Sequence, residues 1–170
     1  MANFDIMCFL EYYADRNSIV DESGNRVPTR QWQNFFQSPQ ELSVDSEATG
    51  EYVYLPFDIS GFGSTEARQI NDLLVNVAAS GDVIDVSEQA IGSENFVLAS
   101  LYIQTPGLDA FDSGSAQLIA RYSGSIEGVA ATDAEVEWTI NPAISKIDAQ
   151  VPTKKITSGM TQSPFLSPYA

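Results

Sequence analysis

Residues 134–140, "AEVEWTI", decide the fold class. Val136, Trp138 and Ile140 alternate with Glu135, Glu137 and Thr139. Successive strand side chains point to opposite faces, so this spacing places three apolar groups on one face and three polar groups on the other. A strand buried on one side only belongs to an antiparallel sheet. Outward from it, "NFVLASLYIQT" (95–105) is apolar on both faces and predicts a central strand or one covered by a helix. The stretches "FDIMCFLEYY" (4–13), "YVYLPFDI" (52–59), "DVIDVSEQAI" (82–91) and "AQLIARYSGSIEGV" (116–129) also read as strands. Pro56 cannot donate to a ladder, which implies an edge or a bulge. Thr105-Pro-Gly and Asp112-Ser-Gly-Ser supply turns at the spacing of a sandwich or barrel.

The segment 54–80, "YLPFDISGFGSTEARQINDLLVNVAAS", predicts the one helix, near residues 65–79. Ile70, Leu73, Leu74, Val77 and Ala78 fall at i, i+3, i+4, i+7 and i+8, the stripe of a half-buried helix. Ser64 or Thr65 supplies an N-cap, and Gly81 stands where a C-terminal glycine cap would. Between residues 15 and 30 the polar run with Ser-Gly-Asn and a proline predicts a loop or short hairpin. "QWQNFFQ" (31–37) is too short to assign, and residues 38–51 form an acidic linker. The expected fold is therefore mainly β: an antiparallel β-sandwich or split barrel with one flanking α-helix and an extended C-terminal arm. Residues 1–140 form the β-rich domain, and residues 141–170, with four prolines, form the arm.

Net charge is −15, and its placement is uneven. From Gln31 to Ala120 there are thirteen acidic residues and one basic residue, Arg68; the lysines are Lys146, Lys154 and Lys155. Such a body repels phosphate backbones, which argues against specific nucleic-acid binding. It favours either simple solubility or a surface past which nucleic acid slides without sticking. No apolar run approaches the roughly 18–20 residues that span a bilayer, so no membrane insertion is expected. The N-terminus lacks a basic region and carries Asp5 and Glu11 within its apolar stretch, a poor signal peptide.

Gly-Phe-Gly-Ser-Thr-Glu after a strand suggests a phosphate loop, but the chemistry is missing. A P-loop needs a lysine after its last glycine, and a dinucleotide loop needs a third glycine where Glu66 stands. Glu66 also complements the predicted helix N-terminus that a phosphate would use. A turn with a cap explains the loop better. With no histidine anywhere, the usual general base and commonest zinc ligand are absent from the sequence. Cys8, alone in "IMCFL", reads as a small buried hydrophobe. Asp133, Glu135 and Glu137 offer three carboxylates on one face, either a calcium site or the solvated side of the strand. No local pattern selects a carboxylate pair for glycoside hydrolysis. No enzyme, cofactor or metal is expected.

At "EVEWTINPAISKIDAQVPTKKITSG" (135–159) the chain resembles the lambda-type tail-tip proteins, minor tail proteins of long-tailed bacteriophages. The alternating strand "VEWTI" followed by the aliphatic-Pro-x-basic-basic step "VPTKKIT" carries the resemblance. "PFDI" and "FVLASLYIQ" upstream extend it over roughly Leu55–Pro168. The resemblance implies a virion structural protein, assembled in the host cytoplasm, whose partners are itself, in a ring, and other tail proteins (tube, hub or tip subunits). DNA would pass through such a ring without specific binding. Some members hold an iron–sulfur cluster on cysteines beyond the basic step. The corresponding "SGMTQSPFLSPYA" has none, so the cluster is not carried over. Lys154, Lys155, Phe165, Leu166 and Tyr169 in the arm are the candidate subunit-interface residues. The alternative from another class is a calcium- or carbohydrate-binding β-sandwich module.

Overall fold

The computed structural model describes residues 3–42, 50–62 and 72–142 of the chain. Its centre is β1 (Asp5–Tyr13), in which Met7 through Tyr13 are all buried. The chain continues through a 3₁₀ turn (Arg16–Ser18), β2 (Arg30–Gln33), β3 (Val53–Tyr54), β4 (Phe57–Ser60) and β5 (Leu73–Ala78). Helix α1 (Gly81–Ala90) follows, then β6 (Phe96–Gln104), β7 (Gln117–Ala131) and β8 (Glu135–Pro142). All eight strands lie in one sheet, in the order β3-β2-β1-β6-β7-β8-β5-β4. Every pairing is antiparallel except β2 with β3. The molecule is thus mainly β with one flanking helix. Of the two architectures the sequence allows, one curled sheet corresponds to the split barrel.

The curl follows from connectivity. β3 and β4 are the two outer strands of the sheet, yet only Leu55 and Pro56 separate them in the chain. The three steps from Tyr54 to Phe57 span at most about 11 Å, so the sheet must bend until its edges meet. Pro56 sits at that corner, where no ladder needs its missing N–H. Asn34 secures the seam: its side-chain amide donates to the Phe57 carbonyl at 3.2 Å. Its Oδ1 accepts the Cys8 amide at 2.8 Å.

Inside the curl, Leu10 and Tyr12 of β1, Trp32, Phe57, Val75 and Val77, Val97 and Ala99, and Val136, Trp138 and Ile140 form one core. Trp32 and Trp138, from β2 and β8, approach to 5.8 Å between ring centroids. Val83, Val86 and Ala90 of α1 pack into the same cluster. The Trp138 indole N–H donates to Ser87 Oγ at 2.8 Å, fixing the helix to β8. A second core on the other face of β1 gathers Met7, Phe9, Phe36, Leu42, Tyr52 and Tyr102. Phe9 meets Tyr52, Tyr102 and Phe111 edge to face, the arrangement that aromatic quadrupoles favour.

The helix is not where residues 65–79 predict it. Residues 63–71 lie outside the described part, and Leu73–Ala78 is a strand. Leu73, Val75 and Val77 are buried and alternate with less buried neighbours. Period two therefore wins; Leu73 and Val77 fit both periods, and Val75, absent from the helical stripe, breaks the tie. The helix instead occupies Gly81–Ala90, overlapping the stretch 82–91 read as a strand. There Val83, Val86, Ser87 and Ala90 fall at i, i+3, i+4 and i+7 and are buried. Ser80 is its N-cap, accepting from the Val83 amide, so Gly81 opens this helix rather than ending one. Asp82 in the first turn complements the helix dipole.

Gly61 closes the β4–β5 hairpin at φ 102°. A Cβ there would run into the Asp72 carbonyl, so the close approach admits only glycine. The 15–30 stretch carries an isolated antiparallel bridge between Val20 and Arg26, the short hairpin of the two expected alternatives. "QWQNFFQ" contributes β2. Asp112 begins the predicted turn, accepting the Gly114 amide at 3.0 Å. That hydrogen bond holds its carboxyl below the usual carboxylate range.

Candidate functional site

Glu11 is 1% exposed and points from β1 toward the second core's side of the sheet. Arg26 donates to it twice, Nε to Oε2 at 3.1 Å and Nη2 to Oε1 at 3.2 Å. The Tyr52 hydroxyl donates to Oε1 at 2.6 Å, and the Tyr13 hydroxyl donates to Oε2. Burial, reinforced by the Glu11 charge, pushes both phenols far above their ordinary range, so they remain donors. Four donors occupy the lone pairs of one carboxylate, leaving it no site for proton transfer to a substrate. This is a clamp: it ties the Val20–Arg26 hairpin and the approach to β3 onto β1. Its signal in the sequence is a lone acid in the apolar run "FLEYY" (9–13), which marks a buried charge without naming its partners.

Buried amides do similar work elsewhere. Gln33 accepts the amides of Phe35 and Phe36 at 2.8 and 2.7 Å. Gln40 accepts the Phe111 amide at 2.9 Å, and Gln104 bonds Ala110 and Asp112. These contacts hold two loops over the Phe9 cluster. Asn95, 1% exposed, takes the Ile126 amide at 2.7 Å and donates to the carbonyls of Ala90 and Ile126. In each case an interior polar group is spent on the chain's own backbone.

The outer face is acidic. Glu135 and Glu137 point away from the core while Val136, Trp138 and Ile140 point into it, the alternation read from residues 134–140. Register places Asp58 opposite Asn76 and Asn76 opposite Glu137, a row across β4, β5 and β8. A cavity of about 450 Å³ lined by Asn34, Tyr54, Asp58, Asn76 and Glu135 opens at the seam. Another of about 250 Å³ adjoins Thr132, Glu135 and Glu137. Among the described residues no group of three or more His, Cys, Asp or Glu side chains is placed to hold a metal ion. Asp133, Glu135 and Glu137 are therefore not brought together as a ligand set. A third cavity, about 360 Å³, lies beyond the helix C-terminus and carries both signs of charge: Arg16, Glu94 and Glu127.

Cys8 is buried, and burial pushes its thiol far above the usual range, so it is a packing residue and not a nucleophile. Lys154, Lys155, Phe165, Leu166 and Tyr169 lie outside the described residues, as do the predicted cap Ser64 or Thr65 and Glu66. Among the described residues no helix is long and apolar enough to cross a membrane. Compared with known proteins, the chain matches no family model and no curated protein.

Proposed function

We propose that this chain is a virion structural protein: a distal tail or tail-tip component of a long-tailed bacteriophage that assembles as a ring and lets DNA pass. The observation that carries the reading is the segregation of charge. Residues 143–170 contain every lysine and a single acid, Asp148, a balance of +2 that leaves −17 on residues 1–142. Head-to-tail rings require two different, complementary patches on one chain, and an acidic body with a basic C-terminal segment supplies such a pair. The resemblance of residues 135–159 to tail-tip proteins supports the same reading. The interior supports a scaffold too, because Glu11, Asn34, Asn95 and Gln33 spend their hydrogen bonds on the fold. An acidic wall would repel passing DNA and so keep the channel free of adsorbed strands. Gold-labelled antibody against this chain, applied to virions of the phage that encodes it, is expected to mark the distal end of the tail. Labelling of the head alone, or of nothing, would reject the reading.

A further inference from the structure

One apolar row of β1 runs past the core it helps to build. Tyr12, Leu10 and Cys8 are 1–2% exposed, but Ile6, next on the same face, is 61% exposed, and Phe4 beyond it is 55% exposed. Ile103 faces Ile6 across the β1–β6 ladder and is half-buried. Ile119 lies where the β6–β7 register shifts, between the partners of Leu101 and Tyr102, and is 52% exposed. Asp5, the acid nearest in sequence, is turned to the Gly107 amide at 3.1 Å. The result is an apolar rim, a row of Phe4, Ile6 and Ile103 at one end of the sheet with Ile119 at the adjacent bulge, on a chain of net charge −15. Scattered apolar residues need no explanation; a row that continues the core face does.

We propose that this rim is the docking surface for residues 143–170 of a neighbouring copy, which deepens the assembly reading and rests on it. The described chain ends at Pro142, opposite Gly124 in β7, while β7 itself runs back to Gln117 beside the rim. β8 therefore points toward this end of the molecule. The 28-residue segment spans up to about 90 Å when extended, far enough to leave the subunit of origin. It brings Ile144, Ile147, Val151, Ile156, Phe165 and Leu166 for the rim, and Lys146, Lys154 and Lys155 for the acidic body around it. Apolar anchors ringed by complementary charge give affinity at the centre and orientation at the edge.

The test uses the full chain with a photo-crosslinking residue in place of Ile119, prepared as a mixture of ¹⁵N-labelled and unlabelled protein. Mapping the products by mass spectrometry is expected to find residue 119 joined to peptides from 143–170 in mixed-isotope pairs. Capture only within one isotopic species would make the occupant the chain's own segment and overturn the proposal. So would capture of residues 63–71, or of a second rim. An oligomer without any capture of 143–170 would also overturn it while leaving the assembly reading intact; a chain that never assembles would remove both. The variant Ile6→Asp/Ile119→Asp is expected to lower the assembled fraction by at least about tenfold. Its unfolding midpoint should stay near that of the wild type, since both side chains are exposed. An unchanged assembled fraction would contradict the docking surface.

Discussion

Asn34 donates to the carbonyl of Phe57 at 3.2 Å while accepting the amide of Cys8 at 2.8 Å, and so links β4, at one end of the eight-stranded sheet, to β1, third from the other end. β2 and β4 share no ladder. A single side chain takes the place of one, together with the Leu55–Pro56 corner. Replacing it with alanine leaves the buried Cys8 amide without this acceptor. Asn34→Ala is expected to cost about 2–4 kcal/mol in urea unfolding, two hydrogen bonds and a desolvated backbone group. A loss under about 0.5 kcal/mol would mean that the seam does not depend on it.

The Glu11 clamp predicts an asymmetry between breaking and replacing. Glu11→Ala removes the two charge-assisted hydrogen bonds of the mostly buried Arg26 and the acceptor of the Tyr13 and Tyr52 hydroxyls, and is expected to cost about 3–5 kcal/mol. Glu11→Leu combined with Arg26→Met is expected to recover much of that loss, because both charges of the buried pair are then replaced by apolar groups. Equilibrium denaturation of the three proteins checks this. A double variant as unstable as Glu11→Ala would show that the tyrosine contacts, and not the ion pair, dominate.

Trp138 and Ser87 tie helix to sheet at 2.8 Å, with Ser87 also donating to the Val83 carbonyl at 2.6 Å. A double-mutant cycle on Trp138→Phe and Ser87→Ala is expected to give a coupling of about 0.5–1.5 kcal/mol. Coupling near zero would leave the helix held by Val83, Val86 and Ala90 alone.

Alkaline pH offers a separate check. Burial raises the phenols of Tyr12, Tyr13, Tyr52 and Tyr122, the last pushed up to about 12. The folded chain therefore keeps these protons to a higher pH than the unfolded chain does. Their contribution is full below the ordinary phenol pKa near 10 and is lost as pH rises from about 10 through the folded values. Each tyrosine steepens the decline by up to about 1.4 kcal/mol per pH unit. Urea midpoints measured on either side of pH 10 should fall, and Tyr122→Phe should flatten the fall. A flat profile to pH about 11.5 would contradict the burial of these hydroxyls.

Residues 134–140 made the β class legible because Val136, Trp138 and Ile140 obey a period that only a half-buried strand explains. "NFVLASLYIQT" likewise named its own place, since a strand apolar on both faces belongs inside a sheet, and β6 is fourth of eight. Residues 70–91 misled for a physical reason. Leu73 and Val77 satisfy both periods, so the tertiary burial of Val75 decided β5, while Ser80 and Asp82 marked the true helix start one element later. A split barrel was one of the two architectures expected, but the choice between them and the strands that meet at the seam were not legible, because they arise from which strands pair, and Leu55–Pro56 carries no motif that says so. Glu11 was visible as an anomaly, but its partners Arg26 and Tyr52 lie 15 and 41 residues away in sequence, beyond any local pattern.

Native mass spectrometry of the full chain, over a wide range of protein concentration, tests the central claim most directly. The account predicts one discrete oligomer of identical copies, a closed ring by negative-stain imaging, that dissociates as salt screens the acidic body from the basic segment. A chain that remains monomeric at every concentration would contradict it.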